Sequence, residues 1–329
     1  MGQEITDSHF DPQDFSDFQE RLGRETLLLS RWLEEGRFKR GPNMGGFELE
    51  TWLVDAHARP MGVVESYLKR LDNPLATPEL ATFNLELNGS PRELRGGALT
   101  DMYQELSDTW GHCSDVAAEL RARLVMIGIL PTAKASDFVL ANMSPLHRYH
   151  ALNEQVLNQR GGEPLRLDVE GRDELLLEHG DVMLEAAATS FQIHLKINVE
   201  EGVRFYNAAK IISAPMVALC ANSPFLLGAD LWDETRIPLF EQAVAVGDSR
   251  LNQRVTFGVH YMQNSIAECF QANWRRYPIL LPRLMDEPED NLAHLRLQNG
   301  TIWRWNRPQI GVDAEHRPQL RIEHRVVPA

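Results

Sequence analysis

Polar and apolar positions alternate with period two in several short runs, the pattern of strands with two unlike faces. Over residues 45–54, Phe47, Leu49 and Leu53 fall on one side and Glu48, Glu50 and Trp52 on the other. Phe83, Leu85 and Leu87 stand opposite Asn84, Glu86 and Asn88, and in residues 190–198 four large apolar residues stand opposite Gln192, His194 and Lys196. Residues 320–326 group Arg321, Glu323 and Arg325. Residues 301–308 read as a fifth strand with Ile302, Arg304 and Asn306 on one face. Gly45 and Gly46 read as positions of close backbone approach where the first strand begins.

Helical spacing fills the intervals. Residues 1–18 are polar and expected to fray, and residues 16–35 carry Phe18, Leu22, Leu27, Leu28 and Trp32 at helical spacing, with Ser16 as N-cap and Gly36 as stop. Residues 63–71 read as a short helix. Residues 99–130 read as one long helix ended by Gly128 and Pro131, with a short strand over 130–135. A further helix opens near residue 143, and residues 165–169 and 175–178 form a hairpin. Residues 205–228 hold an apolar helix, with 218–221 buried, broken by Asn222-Ser223-Pro224. Residues 255–262 read as a strand and 273–288 as mostly helix and loop. No tandem repeat or low-complexity linker is visible.

With 329 residues, 43% of them hydrophobic and 24% charged, the chain has the composition of a globular protein able to bury a large core. Its net charge of −14 argues against a nucleic-acid or anionic-membrane surface. Cys113, Cys220 and Cys269 lack metal-ligand spacing and read as reduced thiols of a cytoplasmic protein. The acidic start has neither a basic nor an apolar signal region, and no apolar run reaches the length of a membrane span.

Two carboxylates on one strand face, Glu48 and Glu50, sit roughly 7 Å apart and repel unless a cation or water lies between them. A solvated outer face accounts for one such strand. It accounts less well for the recurrence in Glu86, His194 and Glu323, a set that suits Mg²⁺ or Mn²⁺, while the neighbouring arginines suit phosphate. Arg148 is either a surface arginine or a contact for a substrate carboxylate or phosphate. His147 and His150 share a helix face but show no third ligand, and Arg236 beside three acids reads as a surface ion pair. Gln192 on the polar strand face and Asn222 at the helix break are candidate substrate contacts.

The order Gly-x-Glu-x-Glu, Asn-x-Glu, Ser-Phe-Gln-Ile-His-Leu, Ala-Asn-Ser-Pro, Trp-Arg and Arg-x-Glu-x-Arg, spread from Gly45 to Arg325, resembles the type 2 glutamate–cysteine ligases. More narrowly it is similar to their bacterial carboxylate–amine ligases, relatives of glutamine synthetase. The resemblance implies an α+β fold: an antiparallel sheet curved into a half-barrel with helices on its outer face, residues 44–329 forming one catalytic domain behind an N-terminal helical segment, 1–43. It implies metal ligation by Glu48, Glu50, Glu86, His194 and Glu323, and phosphate contacts from Arg325, Arg321 and Arg304. Arg236 would hold the substrate carboxylate, with Arg325 and Glu323 at the reacting centre. The implied activity is ATP- and Mg²⁺-dependent joining of a glutamate-like carboxylate to an amine such as cysteine, through an acyl phosphate. Members of the family continue past the Arg-x-Glu-x-Arg strand, which leaves three readings of that part: a truncation, a natural short form, or a piece supplied by a homo-oligomer or partner chain. A non-catalytic ATP-binding homologue and a metal-dependent hydrolase are the alternative readings.

Overall fold

The computed structural model describes residues 10–247, 249, 251, 253–313 and 315–329. The chain begins with helix α1 (Pro12–Glu34), capped by Asp11, whose carboxylate accepts from the backbone of Gln13 and Asp14. The cap thus lies five residues before Ser16, because Asp11 completes a reciprocal capping box with Asp14 and Pro12 fits the first turn. Of the residues expected to fray, 1–9 lie outside the described residues.

The strands β1 (Met44–Val54), β2 (Ala76–Pro78), β3 (Asn84–Asn88), β4 (Arg92–Glu93) and β5 (Arg123–Val125) interleave with helices α2 (Val64–Leu71) and α3 (Ala98–Glu119). Then come α4 (His147–Gln159), the hairpin β6 (Leu165–Glu170) and β7 (Glu174–His179), and a 3-10 segment, Val182–Ala187. Strand β8 (Phe191–Ile197) leads to α5 (Gly202–Cys220), the short pair β9 (Phe225–Leu226) and β10 (Ala229–Asp230), and α6 (Arg236–Ala243). The chain closes with α7 (Ala267–Arg276), α8 (Ala293–Gly300), β11 (Asn306–Val312) and β12 (Pro318–His324).

The fold is α+β. Its main sheet is antiparallel and curved into a half-barrel, ordered β11-β12-β8-β1-β3-β2, with β4 and β5 pairing on β1. The outer face carries Leu49, Leu53, Leu85 and Leu87 into a core with Val64, Tyr67 and Leu71 of α2 and Cys113, Val116 and Ala117 of α3. Burying each such side chain contributes roughly 1.5–3 kcal/mol. The inner face is lined at one end by Trp52, stacked on Phe83 at 5.6 Å, and is closed by α4, the 3-10 segment and α8. Helix α1 packs Phe18, Leu22, Leu29 and Trp32 into the same core. Among the described residues, no helix is long and apolar enough to cross a membrane.

Several expected elements differ. Helix α3 stops at Glu119, since Arg121 takes a left-handed conformation (φ +57°) and residues 123–125 gain a β1 partner that a continued helix would forgo. Residues 130–135, 255–262 and 301–305 form turns and irregular loop instead of strands, so β11 begins only at Asn306. Phe83 precedes β3 and escapes its alternation, joining Trp52 on the inner side. Helix α5 buries Gly202, Tyr206, Ala209 and Ser213 and packs Met216, Val217 and Cys220 partly, leaving Leu219 82% exposed where burial was expected. At the strand start the glycine reading applies to Gly45, where an added Cβ would meet Leu94 at 2.6 Å, and not to Gly46, whose nearest neighbour is 3.8 Å away. The three cysteines are free, Cys113 and Cys269 buried.

Candidate active site

Four adjacent strands bring the acidic residues together. The register sets Glu323 opposite His194, Glu48 opposite Gln192 and Glu50 opposite Glu86, so all project from the inner face. Glu48, Glu50, Glu86, Gln192 and Glu323 line a cavity of about 660 Å³ together with Glu79, Glu185, Arg148, Tyr149, Arg296, Arg307, Arg321 and Arg325, and His194 is buried beside Glu48. This is large enough for a nucleotide-sized ligand.

On this face, one ligand atom each from Glu48, His194 and Glu323 lie within 4.8 Å of one another, all three residues buried. His194 Nε2 is 3.1 Å from Glu48 Oε1, yet both buried ring nitrogens of His194 lack a hydrogen-bond partner of good geometry. Burial pushes the Glu48 carboxyl up, but the His194 imidazole more than offsets it and holds the group at about 2. Glu323 receives the Arg307 guanidinium in a fork at 2.7 and 2.8 Å, and Gln309 Nε2 at 2.9 Å. Desolvation of Glu323 is thereby outweighed by Arg307 and Arg325, which hold its carboxyl far below the usual range. Two ionised oxygens and an orphaned imidazole nitrogen, in one buried spot, fit a divalent cation of the Mg²⁺ or Mn²⁺ type.

Beside this triad, Glu50 accepts from Ser190 N at 2.7 Å and Gln192 Nε2 at 2.8 Å. Burial still raises its carboxyl, against the pull of Arg325. Burial and then Glu48 push Glu86 up to about 7; burial and then Glu50 do the same to Glu185. Glu79 is driven further, by burial and the charges of Glu86 and Glu50. Carboxylates so crowded take up protons unless a positive charge lies among them.

Of the expected arginines, Arg325 lines the cavity with its buried Nε unpartnered and its guanidinium 5.4 Å from the Phe240 ring. Arg321 stands at the exposed mouth with Arg296, and Arg148 lines the wall, its Nη2 donating to Tyr149 at 2.7 Å. Three expectations fail. Arg236 is not on the cavity: 1% exposed, it pairs with Glu234 at 3.0 Å and donates to the carbonyls of Arg325 and Val326, bracing the chain behind Arg325. Asn222 is occupied by Gly128 N at 2.9 Å and the Ala329 carbonyl at 2.6 Å. Arg304 turns away toward Asn273 and Tyr277, because residues 301–305 are not a strand and their alternation does not hold.

The residue that fills the place expected of Arg304 is Arg307, whose side chain shares the Glu323 face once β11 starts at Asn306. Glu79 and Glu185 carry no strand periodicity. The lone acid in the apolar run Val-Met-Leu-Glu-Ala-Ala was the available signal for Glu185.

The profile of glutamate–cysteine ligase family 2 (GCS2) matches residues 44–256, a span that holds Glu48, Glu50, Glu86 and His194 and stops short of Glu323 and Arg325. No curated protein matches the chain. Among solved structures, it is similar to a glutamate–cysteine ligase (gshA) from Francisella tularensis in complex with AMP, at 13% identity and a TM-score of 0.37 over 57% of this chain and 36% of that one. It is also similar to a bifunctional glutathione synthetase from Pasteurella multocida, at 11% identity and a TM-score of 0.36 over 64% of this chain. The chain spans 36% and 26% of the length of these two proteins. On the family match, which covers well over half of its residues and begins at the first strand of the acidic face, the chain belongs to glutamate–cysteine ligase family 2.

Proposed function

We propose that the protein is an ATP-dependent carboxylate–amine ligase of the glutamate–cysteine ligase kind, forming a γ-glutamyl amide through an acyl phosphate. The observation that carries this reading is the buried triad of Glu48, His194 and Glu323, two of whose members, Glu48 and Glu323, line one cavity with Arg325. Glu48, His194 and Glu323 would hold one divalent cation, with Glu50 and Glu86 placed for a second. A bound cation neutralises phosphate charge and aligns the phosphoryl group for in-line transfer.

The chain's own groups do the rest. Arg321 and Arg296 at the mouth attract the nucleotide's phosphates, and Arg325, desolvated on Phe240, donates to the phosphoryl oxygens as charge gathers on them. Arg307 holds Glu323 ionised and in one orientation. Arg148 binds the substrate's carboxylate. The substrate's γ-carboxylate oxygen attacks the γ-phosphorus and ADP leaves. The amine nitrogen then attacks the acyl carbon, phosphate leaves, and the nitrogen gives up its proton. Glu185 and Glu79, on the cavity wall, are placed to take it.

The test is phosphate release from ATP with Mg²⁺ and glutamate, adding amines one at a time, cysteine included. Release that requires glutamate and one amine is the expected result and names the second substrate. Binding of Mg-ATP without release under every amine would overturn the ligase reading in favour of a non-catalytic homologue.

A further inference from the structure

Arg304 lies on the far side of the segment that walls the main cavity, where a separate small cavity of about 40 Å³ opens between α5 and α7. That volume holds roughly three waters, the size of one inorganic ion and far too small for a nucleotide. Its wall is cationic. Arg304 is 5% exposed and, among the described residues, has no carboxylate partner: Asn273 and Tyr277 take its hydrogen bonds, and its guanidinium stands 5.0 Å from the Tyr277 ring. Beside the lining, Lys210 brings an ammonium, likewise without a described carboxylate; it donates to the His260 carbonyl at 2.9 Å, faces the Tyr206 and Tyr261 rings, and lies 3.6 Å from where a Cβ on the lining residue Gly258 would stand. Arg276 completes the set.

The one described carboxylate on this wall is Glu268, and it is engaged by the backbone N–H groups of Gln263, Asn264 and Ser265 at 2.6–3.3 Å. A buried guanidinium whose recorded hydrogen-bond partners are all neutral keeps a positive charge that an anion entering the cavity can meet. The donor set is that of an oxyanion, since a guanidinium offers forked donors and an ammonium adds a point charge. We infer that this cavity is a binding site for a small tetrahedral oxyanion, phosphate or sulfate, separate from the acidic cavity.

The experiment is calorimetric titration of the full chain with sulfate, and separately with phosphate, at ionic strength held constant with chloride. Saturable binding is expected in the native chain and in Arg325→Gln. Arg304→Gln should weaken it roughly tenfold or more, the effect of one charged hydrogen bond. Ala272→Leu, which fills the cavity from α7 without altering charge, should abolish it, and it keeps the test valid if Arg304→Gln fails to fold. Sulfate binding with phosphate excluded, or the reverse, selects between the two ions within the proposal. No saturable binding of either, or binding lost in Arg325→Gln and untouched by Arg304→Gln and Ala272→Leu, would overturn it. Because the readout is binding of an inorganic ion, the result stands apart from whether the chain is a ligase.

Discussion

Replacing Glu185 by Gln should stabilise the protein in metal-free buffer, and only at high pH. Burial and the charge of Glu50 lift the Glu185 carboxyl from 4.5 to about 7, so its ionisation opposes folding. The sign follows from linkage: the folded state binds the proton more tightly than the unfolded chain. The penalty is therefore absent below about pH 4.5, grows through the interval, and is complete above pH 7. A displacement of that size corresponds to at most roughly 3 kcal/mol. The side chain is partly open to the cavity, and solvent screening reduces this to about 1–2 kcal/mol. Glutamine keeps the shape and removes the charge. Urea unfolding at pH 5 and pH 8, with chelator present, should show near-equal stability at pH 5 and the variant ahead by that margin at pH 8. Saturating Mg²⁺ should shrink the gap, since a cation beside Glu50 offsets the charge that raises Glu185. A variant that gains nothing at pH 8, or gains the same at both pH values, would refute the claim that these carboxylates are held in mutual repulsion.

Two further outcomes test the triad. Glu48→Gln and His194→Ala should each weaken Mn²⁺ binding by roughly tenfold or more, followed by the electron spin resonance of free Mn²⁺; unchanged titrations in both would remove the cation from that position. Glu323→Gln should abolish Mg²⁺-dependent phosphate release and, because it leaves the Arg307 guanidinium buried beside a neutral amide, lower stability by about 3 kcal/mol in urea. Retained turnover would take Glu323 out of the mechanism.

The acidic face was legible in the sequence because strands make face membership a matter of parity. Once Glu48 was placed inward, Glu50 and Trp52 followed, and the same step linked Gln192 to His194 and Glu323 to Arg325. The limits of that logic show where parity has no purchase. Arg304 and Arg307 are three residues apart in one apparently alternating run, and which one reaches the cavity depends on where the backbone starts to pair. The segment 301–305 is held instead by turn bonds such as Thr301 N to the Gln298 carbonyl, which set a different start. Glu79 follows the last residue of the short β2 and Glu185 sits in a 3-10 turn, so neither had a face to be assigned to. Arg236 failed for another reason: a sequence reports the charge of a side chain but not its depth, and this guanidinium is 1% exposed against Trp305 and Glu234.

On the proposed reading, the misplaced arginine would bear on the reaction through the backbone it holds. Arg236 donates to the carbonyls of Arg325 and Val326 just past the end of β12, where sheet pairing no longer fixes the chain. The Arg325 amide is held from the other side by the Trp305 carbonyl at 3.0 Å. The Arg325 side chain thus extends from a backbone gripped at both its polar groups, although its own buried Nε has no protein partner. A guanidinium whose base is fixed and whose donors are unspent loses little order on meeting a phosphoryl oxygen, and that is the condition under which an arginine stabilises a developing charge without first reorganising.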